Sequence, residues 1–568
     1  MSDGTQHPVT GEGLGPAPEG APPEPREDVR AAADAEEAAA AQEMPYAAQD
    51  LTSTSPSPVG GEKRRIIANT LANGGAQAIS LLASLVFFRL LTNSFGNVNY
   101  GIFLTVTTVA QYSQLLDFGV GASLVKMIAE HLARDDREGI GPLTSAALAF
   151  YLVIGVVIAA AMVLLAFTDR FVFPHFSADS LQLMRNMLFV AAAFSLWQWP
   201  ANTFLYVLNG FQRYTLTARV QVGITLANIV VYIGVLRFHQ GPLVLFIGTS
   251  LVLVAGSALN IVLARGLLDR VRVSPFLASR AHLIHIFSFS WAIFLVQFST
   301  VILYQQTDRM VIAIFLGAGF VTLYEAAGKF MGLIMQLVAF ANSAVIPMAS
   351  HLDAAGEKEK LRLLFLRGSK YATALVAPVI VVLMVLARPI LAAWMIKPQF
   401  VAMALDARIL IFPQMLIVGG TVGDSIIIGT GALKRRLPYS LAMTFGNLVL
   451  SLLLVRPLGI MGVVLGTAIP YLIDFPIHIW WLLRELDVPA RRWWAEVVAP
   501  VYPLLVVPIG VSVAGLFSPL AGSLLGIALI GAVSCGAYFA GMFAVGLTGA
   551  ERDDVRGFLS GVRGRFAR

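Results

Sequence analysis

A single cysteine, Cys535, in 568 residues rules out an intrachain disulfide framework or a cysteine-built metal cluster. It lies inside an apolar stretch and reads as packing. Charge is equally scarce. Asp, Glu, Lys and Arg make up 13% of the chain, against about a quarter in soluble domains. There is no G-x-x-x-x-G-K-[ST] phosphate loop and no G-x-G-x-x-G following a strand, so any uphill work must draw on a gradient, the membrane potential or substrate consumption. The start of the chain is neither basic nor apolar, which argues against a cleaved secretory signal. No gap between the apolar runs is long enough to form a soluble catalytic domain, which argues against a membrane-embedded glycosyltransferase or polymerase.

What the chain has in abundance is apolar sequence. The hydrophobic fraction is 57% and the mean hydropathy +0.74, and from Ile66 to Leu547 about fourteen stretches approach the ~20 residues that cross a bilayer. They are expected near 66–91, 99–122, 143–168, 183–209, 217–236, 242–264, 283–306, 320–349, 371–395, 404–430, 438–455, 460–483, 496–517 and 522–547, with a break near "QQTDR" (305–309). The fold class is therefore an all-α polytopic membrane protein. The net charge of +6 and pI near 9.4 come from basic residues scattered singly or in small groups beside the spans, so no nucleic-acid partner is implied. Taken alternately, one set of gaps holds 28 Lys and Arg residues and the other 9. Positive flanks stay cytoplasmic, so both termini are expected in the cytoplasm, and the expected location is the cell (inner) membrane.

Residues 1–62 are rich in Pro, Ala, Gly, Glu and Ser and read as a disordered cytoplasmic tail. An echo follows within the ladder. Gly210, Asn228 and Arg237 in the fourth and fifth spans correspond to Gly431, Asn447 and Arg456 in the tenth and eleventh; "FGNVNYG" (95–101) corresponds to "LGAGFVTLYE" (316–325), and "AEHL" (129–132) to "ASHL" (349–352). An offset of six spans preserves orientation, so the axis relating the units runs along the membrane normal. The expected organisation is an N-terminal six-helix lobe (63–280), a C-terminal six-helix lobe (281–490), two additional transmembrane helices (491–550) and a basic cytoplasmic tail (551–568), with a cavity between the lobes.

Charges inside the ladder are costly, about 2.5 to 3.5 kcal/mol each on insertion scales, and tend to face a polar path. Glu325 and Lys329 stand at i and i+4 on one helix face, which suits either a mutually neutralising pair or a site where Lys329 meets an anion. Asp308 and Arg309 are adjacent and point in different directions; with Arg89 they sit nearer the outer ends. Asp117, Asp424 and Asp474 are candidates for ion coupling, with a structural role for each as the alternative. His478 reads as an interfacial anchor or a relay member, and the Trp pairs 197/199, 480/481 and 493/494 as interfacial belts. Pro200, Pro347, Pro378 and Pro413 predict kinks. No cofactor and no metal site is expected.

The segments "NTLANGGAQAISLLASLVFFRLLTNSFGNVNYGIF" (69–103), "LLDFGVGASLVKMIAEH" (115–131) and "TDRMVIAIFLGAGFVTLYEAAGKF" (307–330) resemble the polysaccharide biosynthesis proteins that flip lipid-linked oligosaccharides, within the multidrug, oligosaccharidyl-lipid and polysaccharide exporter superfamily. The resemblance covers roughly residues 63–550. It implies two six-helix bundles, often with two extra C-terminal helices, and a polyprenyl-diphosphate-linked glycan carried from the inner to the outer leaflet. It also implies a cationic cavity, a role carried here to Arg89, Arg309 and Lys329, with Asp308 as the associated acid; Glu325 joins them through its spacing to Lys329. Membrane lipids and polymerase or glycosyltransferase partners go with that reading. A peptidoglycan-precursor flippase and a cation-coupled multidrug extrusion antiporter, which typically has twelve spans, are the competing functions.

Overall fold

The computed structural model describes the backbone of residues 59–268, 271–301, 307–553 and 556–557, and side-chain surroundings from Ala83 onward except at 289, 291–293, 295–301 and 433–438. The tail expected over 1–62 and the basic tail over 551–568 lie largely outside the described residues.

The described elements are helical. They are α1 (Val59–Tyr112), α2 (Val120–Ala133), α3 (Arg137–Val172), α4 (Ala178–Gly210), α5 (Tyr214–Arg237), α6 (Pro242–Leu268), α7 (Arg280–Val301), α8 (Thr307–Phe315) and α9 (Ala318–Asn342). There follow α10 (Val345–Ala354), α11 (Lys358–Met395), α12 (Pro398–Ala402), α13 (Ala404–Gly429), α14 (Leu433–Leu458) and α15 (Ile460–Glu485). Two last spans, α16 (Ala490–Leu516) and α17 (Leu524–Gly546), include π-helical turns. Among the described residues ten segments are long and apolar enough to cross a membrane, and α1, α4 and α7 are further long helices. The chain is a multi-pass membrane protein.

Several boundaries differ from expectation. The gap expected at 92–98 is no loop: helix runs up to both sides of Gly96, whose φ of 77° and ψ of 167° break α1 at one residue. The second expected span is interrupted by a 3-10 turn over Ser113–Asp117 and left-handed Phe118 and Gly119. The eighth divides at Ser343–Ala344, so Pro347 falls in the first turn of the short α10. Helix continues past Pro200, Pro378 and Pro413. Of the break expected over 305–309, α8 begins at Thr307, while 302–306 lie outside the described residues.

The echo has a backbone counterpart. Left-handed residues recur as Gly96 and Gly317, Asp135 and Gly356, Gln212 and Gly431, and His239 and Gly459, at offsets of 221, 221, 219 and 220 residues. Gly96 and Gly317 share an unusual conformation (φ/ψ of 77°/167° and 108°/166°), open to glycine because it lacks a Cβ. Gly210, ending α4, packs on Ile128 of α2; Gly429, ending α13, packs on Ile346 and Ala349 of α10. Each closing helix thus meets the helix carrying "AEHL" or "ASHL". Asn228 with Asn447 and Arg237 with Arg456 keep the offset of 219.

The two glycine breaks also meet. Thr322 Oγ1 donates to the Asn97 carbonyl at 2.7 Å, and a Cβ built on Gly101 would lie 1.8 Å from the Ala318 carbonyl oxygen. At an offset of 221, Asn97 corresponds to Ala318 and Gly101 to Thr322. The pairs 97/322 and 101/318 therefore exchange places, the signature of a two-fold contact, with small residues letting backbones touch. A cavity of about 420 Å³ opens beside this contact, lined by Asn97, His175, Ser177, Gly317, Phe320 and Gln399 among others. None of the charged residues singled out from the sequence lines it.

The last two spans pack on each other and on α11. Lys370 of α11 lies 2.7 Å from Glu551 just beyond α17, both buried, and Tyr371 and Thr548 hydroxyls also donate to Glu551. Burial raises the Glu551 carboxyl, but Lys370 and the Thr548 N–H and hydroxyl outweigh it and hold it down at about 2. Its folded value is below the unfolded one, so its stabilisation is complete above the ordinary Glu range and fades only as pH falls toward about 2. Glu551→Gln strands a buried ammonium and is expected to lower the Tm of detergent-solubilised protein by on the order of 5 °C. Lys370→Met with Glu551→Leu should recover most of that loss, read by thermal melting of wild type and both variants.

Candidate functional site

The short connection between α8 and α9 sets the geometry. Leu316 and Gly317 turn the chain, so α8 and α9 form a helical hairpin, and residues equidistant from the turn become neighbours. Arg309 lies eight residues before Gly317 and Glu325 eight after it. Arg309 Nη2 is 2.6 Å from Glu325 Oε2. Lys329, one turn beyond Glu325, places its Nζ 3.0 Å from Oε1. One buried carboxylate thus divides its oxygens between two cations and leaves the triad one positive charge. Glu325 exposes 8% of its side chain, whereas Arg309 and Lys329 each expose 22%. The acid is the most buried member of the triad and the two cations are the more accessible.

Lys329 stands eleven residues into α9, roughly 16 Å along its axis, about half the ~30 Å hydrocarbon thickness. Across from it is α1: Lys329 donates to Ser84 Oγ at 3.1 Å and sits 5.5 Å from the Phe88 ring centre. Phe88 packs on Tyr100 and Trp394, and Trp394 Nε1 donates to the Leu85 carbonyl. At the repeat offset of 221, Arg309, Glu325 and Lys329 correspond to Phe88, Leu104 and Thr108. A symmetric scaffold therefore carries three charges on one side and uncharged Phe88, Leu104 and Thr108 at the equivalent positions on the other.

Asp308 points away from Arg309, as adjacency requires. Its Oδ2 accepts from Tyr324 at 2.5 Å and from Thr467 at 2.7 Å, and Thr467 accepts from Asn447 at 2.9 Å. This carboxylate pins α8, α9, α14 and α15 together. Arg89 is half-buried, one residue past Phe88 and so about 100° round the helix from it; it makes no hydrogen bond or ion pair with the described residues.

The three remaining acids stand apart from the triad. Asp117 is buried and accepts from Tyr151 (2.5 Å) and Tyr206 (3.4 Å), joining the 3-10 turn to α3 and α4. Asp424 Oδ1 on α13 lies 3.0 Å from His478 Nε2 on α15. His478 is 2% exposed, so it is a buried partner and no interfacial anchor. Asp474 is buried one turn before it, and its backbone carbonyl accepts from Tyr439. Of the aromatic belts, Trp197, Trp480 and Trp494 face outward, but Trp199 and Trp493 are buried. Ser84, Phe88, Tyr324, Trp394 and Thr467 escaped the sequence reading; they are ordinary residues of apolar helices, and only the hairpin register and the repeat could have pointed to them.

Comparison with known proteins places this architecture. The family model for polysaccharide biosynthesis proteins matches residues 66–353, about half of the chain. Uncharacterized membrane protein MJ1068 of Methanocaldococcus jannaschii is 25% identical over 203 residues, 35% of this chain, and the match spans 39% of that relative's length. Among solved structures, lipid II flippase MurJ in an inward closed conformation superposes with a TM-score of 0.61 at 15% identity, covering 82% of this chain and 97% of that one. An inward-facing multidrug resistance MATE family transporter of the MOP superfamily gives 0.57 at 18% identity, over 71% of this chain and 94% of that one. The backbone fold is that of the MOP superfamily, and the chain belongs to the polysaccharide biosynthesis protein family.

Proposed function

We propose that this protein flips a polyprenyl-diphosphate-linked oligosaccharide from the cytoplasmic to the outer leaflet for cell-surface polysaccharide assembly, by alternating access. The observation that carries the reading is the pair of partly exposed cations, Arg309 and Lys329, around one buried acid. A diphosphate cannot cross ~30 Å of hydrocarbon unaided. Arg offers a planar fork to phosphate oxygens and Lys a point charge, while the lipid tail stays in the bilayer. The two-fold contact at Gly96 and Gly317 supports a division into two six-helix lobes (63–280 and 281–490), with α16 and α17 added. The skew of basic residues, 28 against 9, supports cytoplasmic termini and an outward-facing glycine contact. Net positive charge disfavours a cationic drug as cargo.

Deleting the protein is expected to strand lipid-linked glycan on the cytoplasmic leaflet and to lower surface glycan, measured with a membrane-impermeant glycan probe on right-side-out and inverted vesicles. An unchanged leaflet distribution together with sensitivity to cationic drugs would sink the reading in favour of extrusion. Accumulation of peptidoglycan precursor instead would move the cargo to that lipid.

A further inference from the structure

We infer that Glu325 is a built-in competitor for the headgroup: its carboxylate occupies Arg309 and Lys329 in the empty site, yields them to an entering diphosphate, and retakes them to drive release. The inference rests on the diphosphate reading above and adds the release step to it. The geometry is specific. Glu325 gives one oxygen to each cation, at 2.6 Å and 3.0 Å, the arrangement in which two phosphoryl oxygens would replace it. The acid is nearly covered and the cations are more accessible, so an approaching anion meets the cations before the acid.

Each contact has a second holding point. Lys329 also donates to Ser84 and lies against Phe88, and these keep its ammonium in place when Glu325 lets go. Arg309 is carried on α8, whose neighbouring Asp308 is tied to Tyr324 and Thr467; its helix does not move with the exchange. The acid and its cations therefore form a fixed cradle in which one anion replaces another. Two cations without an internal anion would bind a diphosphate tightly and let it go slowly, since charge-assisted hydrogen bonds at low dielectric are strong. With the carboxylate present, departure is compensated at once and no uncompensated buried charge is left behind.

The test is diphosphate binding to the purified full chain in detergent, using inorganic pyrophosphate and farnesyl diphosphate in mixed micelles, by calorimetry and by stopped-flow dissociation. Glu325→Gln is expected to bind both probes at least about tenfold tighter, with the gain in slower dissociation, and to export glycan more slowly. Tighter binding of farnesyl diphosphate than of pyrophosphate marks a lipid headgroup as the source; equal binding marks a free anion. If Glu325→Gln does not purify as a monodisperse protein, Glu325→Asp, which withdraws the carboxylate by one methylene, carries the test with an intermediate gain. A purely structural counter-ion predicts unchanged or weaker binding in either variant, and that result overturns the inference alone when wild type still binds. If neither wild type nor variant binds either probe, the inference falls together with the diphosphate reading.

Discussion

Gly101→Val is expected to abolish export while leaving the protein folded in the membrane. A Cβ at this position would lie 1.8 Å from the Ala318 carbonyl oxygen, 2.6 Å from its carbon and 3.1 Å from Thr322 Oγ1. The first two are backbone atoms, so no rotamer change relieves the overlap. Overpacking typically costs about 1 to 3 kcal/mol even where side chains can shift, and a bias near the upper figure shifts a two-state equilibrium roughly a hundredfold. The relief open to the molecule is to part α1 from α9 at this end, which alternating access requires at some stage of the cycle. The variant should therefore dwell with this contact open. Ala318→Cys, in a background lacking Cys535, reports it: Ala318 is 5% exposed, and its labelling by a membrane-impermeant maleimide is expected to rise at least about tenfold in Gly101→Val. Gly101→Ala should do nearly as much, because the clash begins at Cβ. Gly319→Ala is the control, meeting only Val98 at an ordinary 3.5 Å. Normal labelling and normal export in Gly101→Val would show that this contact is no gate.

Part of this was legible in the sequence. Hydropathy marked the spans because backbone groups in lipid leave helices as the available choice, and the nine-residue spacing from Asn228 to Arg237 and from Asn447 to Arg456 marked the repeat. Its register was visible only in part. Gly431 corresponds to left-handed Gln212, and the helix-ending glycine opposite Gly210 is Gly429; one residue type served two purposes two positions apart. Glu325 and Lys329 could be paired from helix periodicity alone. Arg309 could not, because its contact depends on where the α8–α9 turn falls, and a turn at Leu316–Gly317 is fixed by a backbone conformation. His478 and Trp199 misled for a related reason. Both residue types favour interfaces, and only the packing of α15 on α13 and of α4 on α3 buries them.

Removing charges from the triad one at a time should separate transport from folding. In Lys329→Ala, Arg309 still neutralises Glu325 at 2.6 Å, so the protein level in the membrane should hold. Export should fall at least about tenfold, because a charge-assisted contact to phosphate contributes about 1.5 to 3 kcal/mol. Arg309→Ala should behave alike, with Lys329 retained at 3.0 Å. The double variant differs in kind: Glu325 is then a buried carboxylate without a cation, a situation that costs about 3 to 5 kcal/mol, and the protein level should drop. Adding Glu325→Gln to the double variant removes that charge and is expected to restore the level but none of the export. Quantitative immunoblotting of membranes beside surface-glycan staining reads both quantities in the same cells. A triple variant that recovered export along with its level would mean that the triad holds helices together and touches no cargo. Recovery of level alone separates the two roles: Glu325 fixes how much charge the fold can bury, and Arg309 with Lys329 supplies what the headgroup binds.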